Sequence, residues 1–458
     1  MPDHLAALQH MLIGDCALGL QFAVLAWCGS CRRDRYERRG VAELSRLQGS
    51  TGDAWEGRPA PLSMDVSFQL CFLLFPSRLP NRALHGPSWR MTQRLPPSLT
   101  PLDTARAALL RDVEVIASVE LSLAEAVGSL AAATPLLASY PPHDVAAADG
   151  WALRANDLVG ASAYSPLPLA QPPAWVEAGD AMPAGCDCVL DADAVEASGP
   201  LVQVLAEGVP GQGVRRAGSD IAENVPGLIE GYPVDPAALL LARVAGVDKL
   251  SVRRPRLRIV NVPGANVSMH LIADTARAAG LEVQMCEAGA RDALSIAEAI
   301  GDPACDLLVT IGGSGVGRRD EAVAALARHG AVLAHGLALL PGRTAAVARI
   351  GPVPVVALPG APDHALAVWF ALVLPLIDHL SARQPRRQMT LPLARKIASS
   401  VGIAEIALLI RDHQAWLPLA VGEWSLQAIA RADAWLLIPA SHEGFAAGEP
   451  VDAYLMGT

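Results

Sequence analysis

At 458 residues the chain has room for about three domains, and its composition is 52% hydrophobic but only 4% aromatic. A formal net charge of −10 argues against a general nucleic-acid binder, which needs a basic face to displace counterions, yet it allows one pocket for an anionic small molecule. Eight cysteines without repeated spacing exclude a disulfide framework and suit a soluble α/β protein of the reducing cytoplasm.

Residues 1–90 differ from everything after them. An apolar run, Met11–Trp27, is interrupted by Asp15 and Gln21 and followed by CRRDRYERRG. It is short for a membrane span, which needs about 20 apolar residues, and its basic residues follow the apolar run, the reverse of a secretory signal. Cys28 and Cys31 have no partner pair or nearby histidine to complete a zinc site. The segment is expected to be an extension outside the fold, with Met91 the more natural start. An N-terminal membrane anchor is the competing reading.

From residue 98 to 116 the spacing predicts a helix capped by Thr100 or Asp103, with Pro101 in its first turn. A second helix is expected over Ser122–Ala133. The stretch PPHDVAAADGWALRAND, 141–157, predicts an extended segment that turns sharply and presents Asp149 at the bend. That carboxylate either bonds to its own backbone in an Asx turn or stands ready for chemistry.

Residues 158–210 carry prolines and short alternating runs such as WVEAG and CVLDADAV, the pattern of a small β-rich domain in which Cys186 and Cys188 are packed thiols. The glycine-bounded loop that follows holds Arg215, Arg216, Ser219 and Asp220. Its arginines can grip phosphate or simply form a solvated basic turn. Pro233–Val247 reads as a helix ending at Gly246.

From Leu257 strands and helices alternate, which implies a parallel sheet covered on both faces with ligands at the carboxyl ends of its strands. The expected helices are Val267–Ala279, Asp292 to about Ile300, Glu321–His329 and Pro362–Leu380. Leu307–Ile311 suits a strand buried on both faces. It runs straight into Gly312, Gly313, Ser314, Gly315 and Gly317, then a helix. Such a turn lets backbone amides and a helix N-terminus approach an anion, or it is a tight βα turn with nothing bound. The spacing is neither the dinucleotide fingerprint nor the P-loop. Asp320 at the helix start is favourable beside a phosphate mainly when a cation joins them. Two more glycine turns reach the same edge, Leu340–Pro341–Gly342–Arg343 and Leu358–Pro359–Gly360–Ala361–Pro362, with Arg343 the obvious positive charge. Residues 386–458 read as short strands with one helix, Ser425–Arg431.

Six of these stretches together resemble the MoeA family, the molybdopterin molybdenumtransferases related to the C-terminal half of gephyrin. AADGWA resembles A-M-D-G-Y-A, AGDAMPAGCDCVL resembles T-G-A-x-x-P-x-G-A-D-x-V, and RRAGSDI resembles R-x-x-G-E-D. GGSGVGRRD resembles G-G-V-S-V-G-x-x-D, while LPGR and LPGAP resemble K-P-G-K-P and L-P-G-N-P. The match runs in order from about Met91 to the C-terminus. It implies a multi-domain α/β protein with these parts: a helical linker region (91–148 and 210–254), a small β-rich domain (149–209), an α/β molybdopterin-binding domain with a parallel sheet (255–384) and a C-terminal β domain (385–458).

The resemblance also implies a cytoplasmic homodimer. It would insert molybdate into adenylylated molybdopterin with release of AMP, beside Mg²⁺. Asp149, Asp220, Asp292 and Asp320 would be the catalytic acids, with Asp292 and Asp320 holding the metal. Gly312, Gly313, Ser314, Gly315, Gly317, Pro341, Gly342, Arg343, Pro359, Gly360 and Pro362 would bind the cofactor. A molybdopterin adenylyltransferase or a molybdoenzyme would be its partner, and neither nucleic acid nor a membrane is expected to be one.

Departures from the family pattern bear on catalysis. Ala178 stands for a threonine, Ser219 for a glutamate, and Ala265 and Asn266 for adjacent acids. Gly336 and Leu340 lie where some members have lysines; Arg343 and Thr344 replace Lys-Pro, and Ala361 replaces an asparagine. Each lost charge at such a site can cost about 2–4 kcal/mol in the transition state. The alternative is therefore a weakened relative that binds molybdopterin as a carrier or maturation partner for a molybdoenzyme. An α/β nucleotide-binding protein outside the family is the third reading.

Overall fold

The computed structural model describes residues 93–456 except 97, 199 and 200; the extension 1–90, and its membrane-anchor alternative, lie outside the described residues. A six-stranded sheet sits at the centre of the function. We number its strands β1 (Arg256–Asn261), β2 (Glu282–Glu287), β3 (Leu307–Ile311), β4 (Ala331–His335), β5 (Ala346–Ile350) and β6 (Val353–Leu358), in the order β2-β1-β3-β6-β5-β4. β2, β1, β3 and β6 are parallel, and β5 and β4 extend them antiparallel. The sequence reading expected only parallel strands. It missed the hairpin β5–β6 because Gly351-Pro352 was not read as a tight turn.

Strand alternation sorts the side chains of this sheet between two cores. Leu307, Val309 and Ile311 of β3 pack with Ile272 and Ala276 of helix α1 (Asn266–Ala278). Leu308 packs on the other face with Ile296 and Ile300 of α2 (Ala293–Ile300) and Leu326 of α3 (Ala322–His329). All five residues of β3 are buried, and each large aliphatic side chain removed from water contributes roughly 1.5–3 kcal/mol. Pro362–Leu380 is apolar and long enough to cross a membrane, but 72% of that stretch is buried inside the fold, so it serves as a core helix. It is α-helical at both ends with a π-helical turn over Trp369–Val373.

Elsewhere the structure corrects several expectations. The first helix covers only Leu102–Leu110, with Pro101 flanking it and no side-chain cap; Thr100 instead pairs as a strand with Leu337. The helix expected over Ser122–Ala133 is one turn, Leu123–Ala126, closed by a Ser122/Glu125 capping box. Gly128 then turns left-handed (φ +79°), and Leu130–Ala131 pairs with Lys249–Arg253. The C-terminal strands do not form a separate sheet. Leu337–Leu340 and Thr100–Pro101 join Ala404–Asp412 in one seven-stranded sheet.

Candidate active site at the carboxyl edge of the sheet

The turns after β1, β3 and β6 meet at one edge. Val262 donates its amide to Ile311, and Gly312 to Leu358, so the turns start in register. Gly312 (φ +88°) and Gly313 (φ +70°) occupy the left-handed region that side chains disfavour. A Cβ on Gly312 would lie 3.2 Å from the Ala265 methyl, and one on Gly360 3.4 Å from the Gly312 Cα. The left-handed φ and the close Ala265 contact favour glycine at 312, whereas a Cβ on Gly360 would make an ordinary contact. Ser268 Oγ ties the third turn down by donating to the Gly360 carbonyl at 2.7 Å.

The glycine loop is held by a residue the sequence reading did not single out. The Gln93 side chain, 6% exposed, donates to the carbonyls of Gly313 (2.9 Å) and Gly315 (2.8 Å). Its oxygen accepts from the amides of Val323 (2.8 Å) and Ala324 (3.3 Å) at the start of α3. The helix start is thus already capped, contrary to the expectation that it would face an anion. What remains for an anion is the turn itself. Among the described residues, the amides of Gly313, Ser314 and Gly315 have no hydrogen-bond partner, and the buried Ser314 Oγ and Asn261 Oδ1 have none either. A lone glutamine ahead of two prolines carries no signal in the sequence.

The acids at this edge are engaged. Asp320 accepts from the Gly317 amide at 2.9 Å and from Arg291 Nη2 at 3.0 Å. Arg291 Nη1 donates to the Pro263 carbonyl at 2.6 Å, so one guanidinium bridges the turns after β1 and β3. Asp292 caps α2, accepting from the amides of Leu294 (3.1 Å) and Ser295 (3.0 Å) and from Ser295 Oγ (2.8 Å). These bonds, the Ser295 amide first and its hydroxyl next, hold the Asp292 carboxyl below its ordinary range. Glu321 accepts from the Ala293 amide at 2.7 Å. Where the family has adjacent acids, Asn266 Oδ1 accepts from Asn261 Nδ2 at 2.7 Å, and the same Nδ2 donates to Glu287 Oε1 at 3.5 Å.

This donor set does not fit a divalent cation. Hard cations take several oxygen ligands without competing donors, and among the described residues no three acids, histidines or cysteines cluster as a metal site.

The other turns supply shape and charge. Pro341 and Gly342 are buried, whereas Arg343 is exposed where the chain enters β5. Gly342 (φ +121°) leaves no room for a Cβ, which would meet Val368 Cγ2 at 2.6 Å. Pro359 is buried, and Pro362 opens its helix at the first turn. Arg318 and Arg319 are exposed on the glycine loop itself. With Arg291 they make the edge more basic than the sequence reading, which named Arg343 alone, had allowed. Their position directly before Asp292 and Asp320 was the available signal.

Asp149 and Asp220 lie in a second place, around the short pair Val145–Ala146 and Val214–Arg215. Asp149 is exposed and accepts from the Ala178 amide at 2.8 Å, so it fastens a distant loop rather than its own turn. Asp220 pairs with Arg215 at 3.0 Å and accepts from Ser219 Oγ at 3.3 Å. A cavity of about 360 Å³ opens beside them, lined by Tyr140, His143, Ala147, Ala178 and Arg215. Cys188 is buried and its thiol is pushed up to about 11 by burial, with Asp187 adding to it.

Residues 100–246 match the MoeA N-terminal region (domain I and II), and residues 250–379 match the probable molybdopterin binding domain. Together they cover more than half of the chain. A putative molybdopterin biosynthesis protein of Methanocaldococcus jannaschii is 26% identical over 349 residues, 69% of this chain and 86% of that one. Molybdopterin molybdenumtransferase 2 of Mycobacterium tuberculosis is 28% identical over 366 residues, 69% of this chain and 89% of that protein. The crystal structure of a molybdopterin biosynthesis MoeA protein from Pyrococcus horikoshii OT3 superposes with a TM-score of 0.59. It is 21% identical and covers 78% of this chain and 100% of that one.

Proposed function

Because the chain belongs to the MoeA family, we propose that it completes the molybdenum cofactor, inserting molybdate into adenylylated molybdopterin with release of AMP. The observation that carries this reading is the glycine turn 312–317, where three backbone amides without partners among the described residues sit at the carboxyl edge of the sheet within the region matching the probable molybdopterin binding domain. Backbone N–H groups aimed at one point bind a phosphate without needing a side-chain charge.

On this reading the molybdopterin phosphate rests on Gly312–Gly317, and Gly342 and Gly360 keep the neighbouring turns close to it. Arg343, Arg318 and Arg319 supply positive charge for the molybdate and the anhydride. Asp320 orients the reacting end, and Asp149 and Asp220 act from the second pocket, brought opposite the edge by a homodimer. Water cleaves the phosphoanhydride and frees AMP, leaving the phosphate on molybdopterin, while the two thiols of the dithiolene displace one oxygen of molybdate, which leaves with their protons as water. Work in the cytoplasm follows from this role in biosynthesis.

The direct test is AMP release by the full chain supplied with adenylylated molybdopterin and molybdate. Asp320→Asn should slow it about 10²–10³-fold, as the loss of one charged group from a transition-state site does. Unchanged release would remove Asp320 from the mechanism. Asn266, an amide bonded to Asn261 where the family has an acid, favours the second reading, a binding carrier. That reading predicts tight molybdopterin binding with no AMP release by the unmodified chain.

A further inference from the structure

The turns after β1 and β3 are joined by a positive charge that belongs to the protein. Arg291 spans them, Nη1 to the Pro263 carbonyl and Nη2 to Asp320, with its side chain 34% exposed and that of Asp320 20% exposed. A carbonyl oxygen and a carboxylate oxygen held by one group are the ligands a hard dication would take. Here a guanidinium holds both. Two further acids of the edge are satisfied by N–H or O–H donors, Asp292 by its own helix and Glu321 by Ala293, while Glu287 at the end of β2 has the Asn261 amide at 3.5 Å.

We propose that Arg291 is the built-in cation of this site: it neutralises Asp320 and locks the two turns together, so the free protein binds no Mg²⁺ at this edge. The proposal deepens the function given above and rests on it for the meaning of the pocket. The physical argument is competitive. A dication would have to displace a guanidinium already hydrogen-bonded to two oxygens, and it would then sit beside a fixed positive charge. Mg²⁺, which dehydrates reluctantly and demands near-octahedral oxygen geometry, does not gain the Asp320 and Pro263 oxygens while the guanidinium holds them. Arg291 is a positioning residue here, acting through Asp320 and the turns.

Mn²⁺, followed by the loss of its free electron paramagnetic resonance signal on titration with the full chain, is the probe. The unmodified protein should leave the signal unchanged into the millimolar range, and so should Arg291→Lys. Arg291→Gln should take up one equivalent, and the double variant Arg291→Gln, Asp320→Asn should lose it again, an effect that a merely structural role for Arg291 would not produce. Uptake by the unmodified protein that Asp320→Asn abolishes would overturn the proposal. So would a folded Arg291→Gln chain that takes up none. If Arg291→Gln does not fold, the unmodified protein and Asp320→Asn decide the matter. AMP release, measured separately, reports on the proposed function. Its absence beside the expected Mn²⁺ result would refute that function and leave this inference standing.

Discussion

Gln93 and Gly313 are 220 positions apart in the chain, yet the Gln93 amide donates to the Gly313 carbonyl at 2.9 Å inside the protein. The same side chain bonds Gly315, Val323 and Ala324. One amide therefore sets both the shape of the phosphate turn and the start of α3.

Removing it should be costly. Gln93→Ala leaves the Gly315 carbonyl and two helix amides without that partner, while the Gly313 carbonyl keeps the Ala322 amide, and a loss of about 2–4 kcal/mol is expected from such buried groups. Gln93→Glu keeps the acceptor but loses both donors and sets a charge against two carbonyls, so it should fare no better. Denaturant unfolding with both variants checks this. A change below about 0.5 kcal/mol would show that the bonds are not needed.

The glycine turns make a second prediction. Gly312→Ala forces a side chain into the left-handed region against Ala265, and Gly342→Ala drives one into Val368. Each should lower stability by about 1–3 kcal/mol. Gly312→Ala should also weaken molybdopterin binding, because the turns that cradle the phosphate must part. Gly351→Ala, also left-handed but with nothing within 4 Å, serves as the control for conformational strain alone. Fluorescence-detected binding alongside unfolding separates the two effects.

The cap on α2 predicts a dependence on pH. Asp292 has its carboxyl held below the ordinary value by the Ser295 amide and hydroxyl. A depressed folded pKa gives stability that is fully present above the unfolded pKa, near 3.9, and is lost as pH falls through the folded value. The stability difference between the unmodified protein and Asp292→Ala should therefore be constant near neutrality and shrink in acid. A difference that grows as pH falls would contradict the assignment of this residue as a cap.

Buried thiols give a fourth. Cys305 is held up to about 11 by desolvation, as Cys188 is by burial, and thiols react as thiolates. In the native protein at mildly alkaline pH both should resist alkylation, and mass mapping should find them labelled only after unfolding. Early labelling of either would mean that its core opens locally.

Much of the central unit was legible because its physics is local. The all-buried β3, the glycines that follow it and the Asp292 and Ser425 caps carry periodicity, turn and capping signals within a few residues. What the sequence did not disclose depends on distant pairing. Thr100–Pro101 and Leu337–Leu340 carry no mark that they will share a sheet with Ala404–Asp412. The helix expected over Ser122–Ala133 gave way because Leu130–Ala131 found a strand partner more than a hundred residues away. The site shows the same division. Its glycines and aspartates were named from motifs, whereas Gln93 and Arg291 act through bonds to residues 220 and 29 positions away.

Complementation tests the central claim most directly. The full chain, produced in a bacterial strain that lacks its own molybdenumtransferase and is grown at low molybdate, should restore molybdoenzyme activity, and Asp149→Ala should abolish the rescue. A soluble protein that binds molybdopterin yet restores nothing would contradict insertion and leave a scaffold kept for binding.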